Sequence, residues 1–474
     1  MKSRLDEILF SLTAIQKNRL RKFLQSAYLN ADDRLTHLAE LLIREPDLRS
    51  DKKALHQRLF PGQRYDYHKI SNLLSHLGRQ LRQFLVFEEL KTSPVEQELI
   101  CLRAMRQGGL HESFALLHQQ IGKELHRSEA DDETHKLHAF HWLEEEDQWL
   151  MAKGERHQVS SLNRKIEALD DFYLLAMLKR ACQWYNRTQI LSGENPSPVL
   201  PTFVSWLELR TQKLHSDGLL WAYYLVLQTL TSEKHQQAYH QLKQVLTQQD
   251  SRLSTEERRN IYQYARNYCI RQSNRGQAGF LRELFETYQV MLQEEMLFHQ
   301  GEISHGDVKN LVSLGLRLKE FAWTESFLQN IGPRISKDHR ENAIRYNLAQ
   351  LEHAQERFTQ ALRNLRLVSF EDVFYALGAR TLLLKIYYSR EEWEELLDGL
   401  KAFENWLRRN SDLNEQQRDG HLNFIKALKT LVLQHVQVTS DLKPEQIREQ
   451  LQGFQPLSQK SWLLTQADKL QGLS

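Results

Sequence analysis

Three large aromatic residues recur at one fixed interval in the C-terminal half of the chain. Trp323, Phe358 and Trp393 are separated by two intervals of 35 residues. A period of this length fits a helix, a tight turn and a second helix, and such units must stack because one alone buries too little apolar surface. Each aromatic residue is predicted to fill the wedge between the two helices of its hairpin. Residues 306–410 are therefore predicted to form successive helical hairpins.

Other positions follow the same period. Three residues after each aromatic, a small side chain is predicted to let the next helix approach closely. These positions are Ser326, Ala361 and Leu396. The inward pairs nine or ten places before each aromatic are Ser313-Leu314, Leu348-Ala349 and Leu383-Leu384. Together these residues resemble tetratricopeptide repeats, although Leu384 and Leu396 stand where that family has small residues and its closing proline is absent.

The resemblance implies an α-solenoid with a concave groove lined by the first helix of each repeat, and a protein or peptide as the partner. Carried over by position, the groove residues are Tyr346, Gln350, His353, Lys385 and Tyr388. One positive charge, polar groups and two aromatic rings suit an extended peptide or an acidic chain terminus. Tyr346 and Tyr388 have an alternative role as packing residues.

Short segments elsewhere in the chain are also similar to a family of uncharacterised bacterial helical proteins, for which no activity is assigned. They are Phe10-Ser11-Leu12, residues 21–30, Leu59-Phe60-Pro61, and Phe172-Tyr173 with Leu178 and Cys182. This resemblance implies a helical fold and gives no function.

The composition favours an all-α fold. Only nine prolines and 19 glycines occur in 474 residues, too few for the turns of a many-stranded β protein. The net charge of +2 argues against a dedicated nucleic-acid binder, which normally carries a basic excess. No secretory signal or membrane span is visible, and Cys101, Cys182 and Cys269 are predicted to be reduced, buried thiols in a cytoplasmic protein.

We expect three parts along the chain. Residues 1–90 are predicted to form an N-terminal helical bundle, and residues 91–195 a middle helical region with a long central helix from about 162 to 191 that is buried on several sides. Residues 196–474 are predicted to form the TPR-like α-solenoid with a C-terminal helical cap. The proline cluster at 195–201 is the predicted boundary or hinge.

The apolar periodicity of the N-terminal bundle also predicts which individual side chains face the core and which face solvent. Ile15 is predicted to lie on the inner face of a helix capped by Ser11 or Thr13. Leu85 is predicted to face inward on the strongly amphipathic fourth helix, and Gln80 to face outward.

One histidine cluster has the composition of a metal site. His138, His141 and Glu145 fall within one sector of a predicted helix, and imidazole with carboxylate suits zinc or iron. The alternative is that residues 144–147 form a solvated acidic face on which His141 pairs with Glu145. No second ligand motif accompanies the cluster, so no metal or other cofactor is expected.

The predicted function is that of a non-enzymatic scaffold or adaptor. No Gly-x-Ser-x-Gly, His-Glu-x-x-His or phosphate-loop motif occurs in the sequence. The alternative is a regulator that contacts nucleic acid through the N-terminal helices, because residues 1–90 hold 16 Lys/Arg against 11 Asp/Glu. Lys17, Arg19, Arg21 and Lys22 cluster there on one predicted helix.

Overall fold

The computed structural model describes residues 4–30, 32–127, 132–154, 159–189, 197–248, 253–369, 373–436 and 444–471. Contacts divide the chain into two compact units, which are Met1–Leu227 with Thr247–Ser254, and Gln228–Leu246 with Thr255–Ser474. The predicted boundary at 90 stays a prediction, and the predicted hinge residues 195 and 196 lie outside the described part of the chain.

Up to residue 231 the described chain is helical. The α-helices are α1 (Arg4–Ser11), α2 (Ala14–Leu24), α3 (Arg34–Arg44), α4 (Lys52–Leu59), α5 (Tyr67–Thr92), α6 (Pro94–Gln107), α7 (His111–Arg127), α8 (Glu133–Ala152), α9 (Val159–Thr188), α10 (Val199–Leu207), α11 (Thr211–Ser216) and α12 (Gly218–Thr231). Short 3-10 helices cover Pro46–Arg49 and Glu208–Arg210.

Helices also dominate the remainder. They are α13 (His235–Gln248), α14 (Thr255–Asn274), α15 (Phe280–Gln293), α16 (His305–Arg317), α17 (Phe321–Ile331), α18 (Lys337–Ala354), α19 (Phe358–Leu365), α20 (Val373–Ser389), α21 (Trp393–Arg409), α22 (Glu415–Val436), α23 (Pro444–Gly453) and α24 (Lys460–Gln471), with a 3-10 helix at Gly332–Arg334. The all-α fold class is confirmed. Among the described residues, none of these helices is long and apolar enough to span a bilayer.

One small antiparallel ribbon interrupts the helices. Its strands are β1 (Phe298–His299) and β2 (Glu302–Ile303), with Phe298 opposite Ile303. Gln300 and Gly301 both have positive φ, 52° and 84°, which is the backbone of a two-residue type I′ turn.

The N-terminal helices enclose a core of their own. Thr13 caps α2 through a capping box with Gln16, so the predicted cap at Thr13 is correct. The core side chains are Leu5, Leu9, Leu12, Leu20, Leu24, Leu35, Leu38, Leu42, Leu55, Phe60, Ile70, Leu73, Leu77, Leu81 and Phe84. Ile15 and Leu85, which were predicted to face this core, are exposed.

Gln80 is the opposite case. It is buried, not outward-facing as predicted, and its Nε2 donates to the carbonyl of Leu29 at 3.0 Å. The Leu29 carbonyl satisfies the amide nitrogen of Gln80, whereas the buried Oε1 has no hydrogen-bond partner.

The long central helix is α9, but only its second half is enclosed. Leu174, Leu178 and Cys182 have no exposed surface. Leu162 and Ile166, about three and about two turns before Leu174, are 43% and 55% exposed. The prediction of burial on several sides is therefore wrong for the first half of α9.

The three C-terminal hairpins are α16–α17, α18–α19 and α20–α21, and the turn between the two helices has the same geometry in each. Lys319, Glu356 and Glu391 each follow the first helix of a hairpin with φ of 61°, 62° and 59°. In each case the next residue donates its backbone N–H back to the helix, from Glu320 to Gly315 at 2.8 Å in the first hairpin. The same bond joins Arg357 to Glu352 and Glu392 to Tyr387. This is a Schellman ending, which normally uses glycine at the positive-φ position.

The shared turn corrects the register of the repeat. Phe321, not Trp323, stands two residues after its positive-φ residue, as Phe358 and Trp393 do. The interval between the first two hairpins is therefore 37 residues, and only the second is 35. The predicted equivalence of Trp323 with Phe358 is wrong, since Trp323 lies half a turn further along its helix.

The corrected register also replaces Ser326 as the small residue of the second helix. Thr324, Ala361 and Leu396 are equivalent, and none of them has exposed surface. Thr324 packs against α16 at Gly315, where an added Cβ would lie 2.2 Å from the Thr324 hydroxyl. Successive first helices then contact one another, α16 with α18 and α18 with α20.

The cysteines follow the prediction in part. Cys182 and Cys269 are buried, and all three thiols are free of disulfides. Cys101, which was also predicted to be buried, is exposed. Burial raises the pKa of the Cys269 thiol to about 11, so this sulfur stays protonated at neutral pH.

We expect Glu356→Gly to stabilise the protein by about 1 kcal/mol, because glycine adopts positive φ without the clash that a Cβ introduces. The matched control is Glu341→Gly, four residues after the start of α18, where the same exchange within a helix is expected to cost about 1 kcal/mol. Urea unfolding of both variants measures the two changes. Equal destabilisation by both would contradict the assignment of the turn.

Candidate functional site

A cavity of about 630 Å³ lies within the second unit, against the first helices of the hairpins. Four of the five predicted groove residues line it, namely Tyr346, Gln350, His353 and Lys385. Further side chains come from α16 and α22, and Gln459 comes from the segment before α24. The carried-over positions thus lie around one concave surface, although their role in binding remains a prediction.

Tyr346 forms part of the wall between α18 and α20. Its ring meets that of Tyr375 edge to face at 5.4 Å, and its hydroxyl lies over Gly378, where an added Cβ would be 2.3 Å away. Lys309 Nζ lies 5.5 Å from the centre of the same ring. Burial raises the pKa of the Tyr346 phenol, which therefore stays neutral. The packing role considered for Tyr346 is present in the structure.

Gln350 and His353 each present a nitrogen without a partner. Gln350 Nε2 and His353 Nε2 are both buried atoms with no hydrogen bond. Burial, with a smaller contribution from the positive charge of Lys385, lowers the pKa of His353 to about 4. The imidazole is therefore neutral at pH 7. Buried polar groups without a hydrogen-bond partner are rare in proteins, so these two nitrogens mark Gln350 and His353 as candidate binding groups.

The amine of Lys385 lies at the cavity and contacts an amide oxygen and an aromatic ring, with no ion pair among the described residues. Its Nζ donates to Gln459 Oε1 at 3.4 Å and lies 5.2 Å from the ring of Trp462. Water reaches part of the side chain, but the cavity walls surround the amine. This burial lowers the pKa of Lys385 to about 8. The amine is still mostly protonated at neutral pH and is set for an anionic partner.

The lining carries one sign of charge. Lys309 and Arg317 on α16 join Lys385, and none of the described residues that line the cavity is acidic. His421 on α22 completes the wall, and burial followed by the charge of Lys309 lowers its pKa, although its contact with the Gln417 carbonyl opposes the shift. The cavity can therefore attract a carboxylate or another anion.

Tyr388 is the predicted groove residue that does not line the cavity. It is 6% exposed, and its ring packs edge to face on those of Trp393 and Trp462 at 5.7 and 5.5 Å. Burial raises the pKa of Tyr388 to about 12. The alternative packing role fits this position.

Sequence reasoning missed the contributions of α16, and the register error explains why. With the 37-residue interval, Lys309 is equivalent to Tyr346, and Ser313 is equivalent to Gln350. Both α16 residues line the cavity. Aligning the hairpins on Phe321 would have found them. Nothing in the repeat pattern signals His421 or Gln459, since they belong to helices outside the three hairpins.

The candidate metal ligands His138, His141 and Glu145 do not form a site, because Glu145 is engaged elsewhere. Glu145 is 2% exposed, and its two oxygens accept hydrogen bonds from Arg103 Nε at 2.7 Å and Arg106 Nε at 2.6 Å. No group of three potential metal ligands occurs anywhere in the described part of the chain. His138 and His141 thus have no third ligand in Glu145.

The acidic run at 144–147 is not a solvated face either. Lys165 pairs with Glu144 and Asp147 at 3.1 and 2.6 Å, and Arg164 pairs with Glu146 at 2.7 Å. These carboxylates therefore connect α8 to α9, while Glu145 connects α8 to α6.

The basic residues of α2 are partly neutralised. Arg19 pairs with Glu88 at 3.0 Å, and Arg21 pairs with Glu40 at 3.0 Å. Such pairs hold helices of the N-terminal bundle together and leave less charge for a phosphate backbone. The alternative of nucleic-acid contact through these helices stays a prediction that gains no support here.

Comparison with known proteins gives no relative: no family model, curated protein or solved structure matches this chain.

Lys385→Met is expected to stabilise the protein by about 1–2 kcal/mol at pH 7, after allowance for the water that reaches the amine. The folded pKa of about 8 lies below the ordinary 10.5, so the cost of the buried charge is fully present below pH 8. Between pH 8 and 10.5 the folded protein releases this proton first, and the cost disappears. The advantage of the variant should therefore shrink across that window.

Urea unfolding of wild type and variant from pH 7 to 10 measures this difference. Lys401→Met is the control, since Lys401 is exposed on α21 and outside the cavity. A stability difference for Lys385→Met that stays constant with pH would contradict the enclosed cation.

Glu145→Gln is expected to cost about 2 kcal/mol, because two arginines lose a carboxylate that is almost fully buried. The control is Asp468→Asn, which removes a pair with Arg448 whose side chains are 44% and 45% exposed. That exchange should cost less than about 1 kcal/mol. Thermal unfolding compares the two, and equal small losses would show that Glu145 does not hold α6 to α8.

Proposed function

We propose that this chain is a non-enzymatic interaction scaffold whose TPR-like hairpins bind an acidic segment or the C-terminal carboxylate of a protein partner. The one observation that carries the proposal is the partly enclosed amine of Lys385, which lies in a cavity whose described lining residues include no carboxylate. A cation held near protein walls at a cost in stability is typical of a binding site rather than of a structural core.

The remaining lining fits a peptide. Gln350 Nε2 is an unsatisfied amide donor, and a peptide carbonyl is the group that it would bind. Tyr346 and Leu382 add apolar surface against which an aliphatic side chain can pack. Peptide sites of this kind combine a few polar contacts with apolar walls.

A binding role is favoured over catalysis because, of the polar groups that line the cavity, Thr381 is not an activated nucleophile and His353 is not an effective general base. The Thr381 hydroxyl donates to the Leu377 carbonyl at 2.8 Å within its own helix, so it is not poised as a nucleophile. His353, with a pKa of about 4, is a weak base at neutral pH. We place the scaffold in a reducing compartment such as the cytoplasm, because the thiols of Cys182 and Cys269 are buried and free.

The proposal is tested with two labelled peptides, one with an acidic C-terminal segment and one with amide side chains and an amidated terminus. Fluorescence anisotropy should detect the first and not the second. Lys385→Gln should weaken binding at least about tenfold, since the carboxylate of the peptide would lose its cationic partner in the cavity. Lys401→Gln, an exposed exchange of the same charge on α21, should change binding less than about twofold.

Circular dichroism of both variants controls for folding. Equal binding of the two peptides, or equal binding by wild type and Lys385→Gln, would refute an acidic ligand in this cavity. Tight binding of an oligonucleotide that falls steeply with salt would favour the nucleic-acid alternative instead.

A further inference from the structure

A second cavity, of about 560 Å³, lies against the other side of α20, within the same unit. The hairpin helices α19, α20 and α21 line it together with the turn between α20 and α21. α20 presents Gly378, Thr381 and Lys385 to the first cavity, and Arg380 and Tyr387 to the second. The two cavities therefore do not share these side chains, and the second is not part of the site described above.

Four arginines line this second cavity. Arg363 lies on α19, and Arg366 is the residue that follows the end of α19 with α-helical backbone angles; both are exposed. Arg380 comes from α20, and Arg390 comes from the turn. A spacing of three residues places Arg363 and Arg366 on one side of their helix. Guanidinium groups from separate elements thus converge on one concave surface.

The acidic residues of the cavity offset only part of this charge. Glu392 and Glu395 also line it, so four positive and two negative side chains leave an excess of +2. Glu392 is engaged with Arg390 at 2.7 Å. Arg380 lies 5.1 Å from the ring of Trp406, and burial lowers its pKa. The side chains of Arg363 and Arg366 take part in no ion pair among the described residues.

The rest of the lining is apolar. Leu362 and Leu383 contribute aliphatic surface, and the half-buried Tyr387 contributes an aromatic ring. Guanidinium groups match the oxygens of a phosphoryl group in a bidentate manner, and aromatic or arginine planes stack on a heterocyclic ring. A cavity of about 560 Å³ is in the range of small-molecule sites.

We propose that the cavity between α19, α20 and α21 binds the phosphoryl group of a small nucleotide. Arg363 and Arg366 hold its oxygens, and Tyr387 with the two leucines receives the ring system. The carboxylate of Glu395 favours a ligand with an additional hydrogen-bond donor, such as a ribose hydroxyl, near α21. This site is independent of the acidic peptide proposed for the first cavity.

Isothermal titration of the full chain tests the proposal with ADP, inorganic phosphate and adenosine as probes. ADP is expected to bind, inorganic phosphate to compete with it more weakly, and adenosine not to bind. Arg363→Glu with Arg366→Glu should weaken ADP binding at least about tenfold, because two charge-assisted contacts become repulsive. Arg363→Lys with Arg366→Lys keeps the positive charge but removes the bidentate guanidinium donors, so it should give an intermediate affinity.

The control is Arg408→Glu with Arg409→Glu, which makes the same change in charge at two exposed positions of α21 outside the cavity. It should alter ADP binding less than about twofold. Three results would overturn the proposal: no binding of ADP, equal ADP affinity in wild type and the Arg363/Arg366 glutamate variant, or loss of ADP binding in the control as well. Preferential binding of a single-stranded oligonucleotide through the same arginines would overturn the small-ligand assignment. If the glutamate variant unfolds, the lysine variant supplies the measurement.

Discussion

The helix ending shared by the three hairpins is the constraint on which the C-terminal architecture depends. A backbone bond of the Glu320-to-Gly315 type closes each first helix, and a residue with positive φ turns the chain back. The turn has the same geometry in each hairpin, so each second helix begins two residues after the positive-φ residue. The side chain three residues further along, which is Thr324, Ala361 or Leu396, is buried in every hairpin. The first helices contact one another in sequence, α16 with α18 and α18 with α20, and together they line the first cavity.

Both cavities of the hairpin unit hold positive charge that the protein itself only partly neutralises. In the first, Arg317 and Lys385 take part in no ion pair among the described residues, and none of the described lining residues is acidic. In the N-terminal unit, by contrast, Glu145 and the carboxylates beside it pair with arginine and lysine across helices. The difference is physical: paired charges join helices, whereas a cation without a counterion costs desolvation energy that an anionic partner recovers.

The sequence was sufficient for the helical class and for four of the residues that line the first cavity, and its failures have identifiable causes. Composition and apolar periodicity predicted the helices, and four of five carried-over residues line one cavity. The repeat was misaligned because Trp323 mimics the position of Phe321, two residues away. Gln80 was assigned to solvent because its backbone partner, Leu29, lies 51 residues earlier. The ion pairs of Glu145, the type I′ turn at Gln300 and the contribution of His421 depend on tertiary contacts or on backbone angles that no local pattern encodes.

Helix α20 has a cavity on each of two faces, and its Gly378 packs directly against Tyr346 of α18. The Tyr346 hydroxyl occupies the position that a Cβ at residue 378 would take, so the two helices are in close van der Waals contact here. Because α20 contributes to the walls of both cavities, a displacement of this one helix would change the dimensions of both.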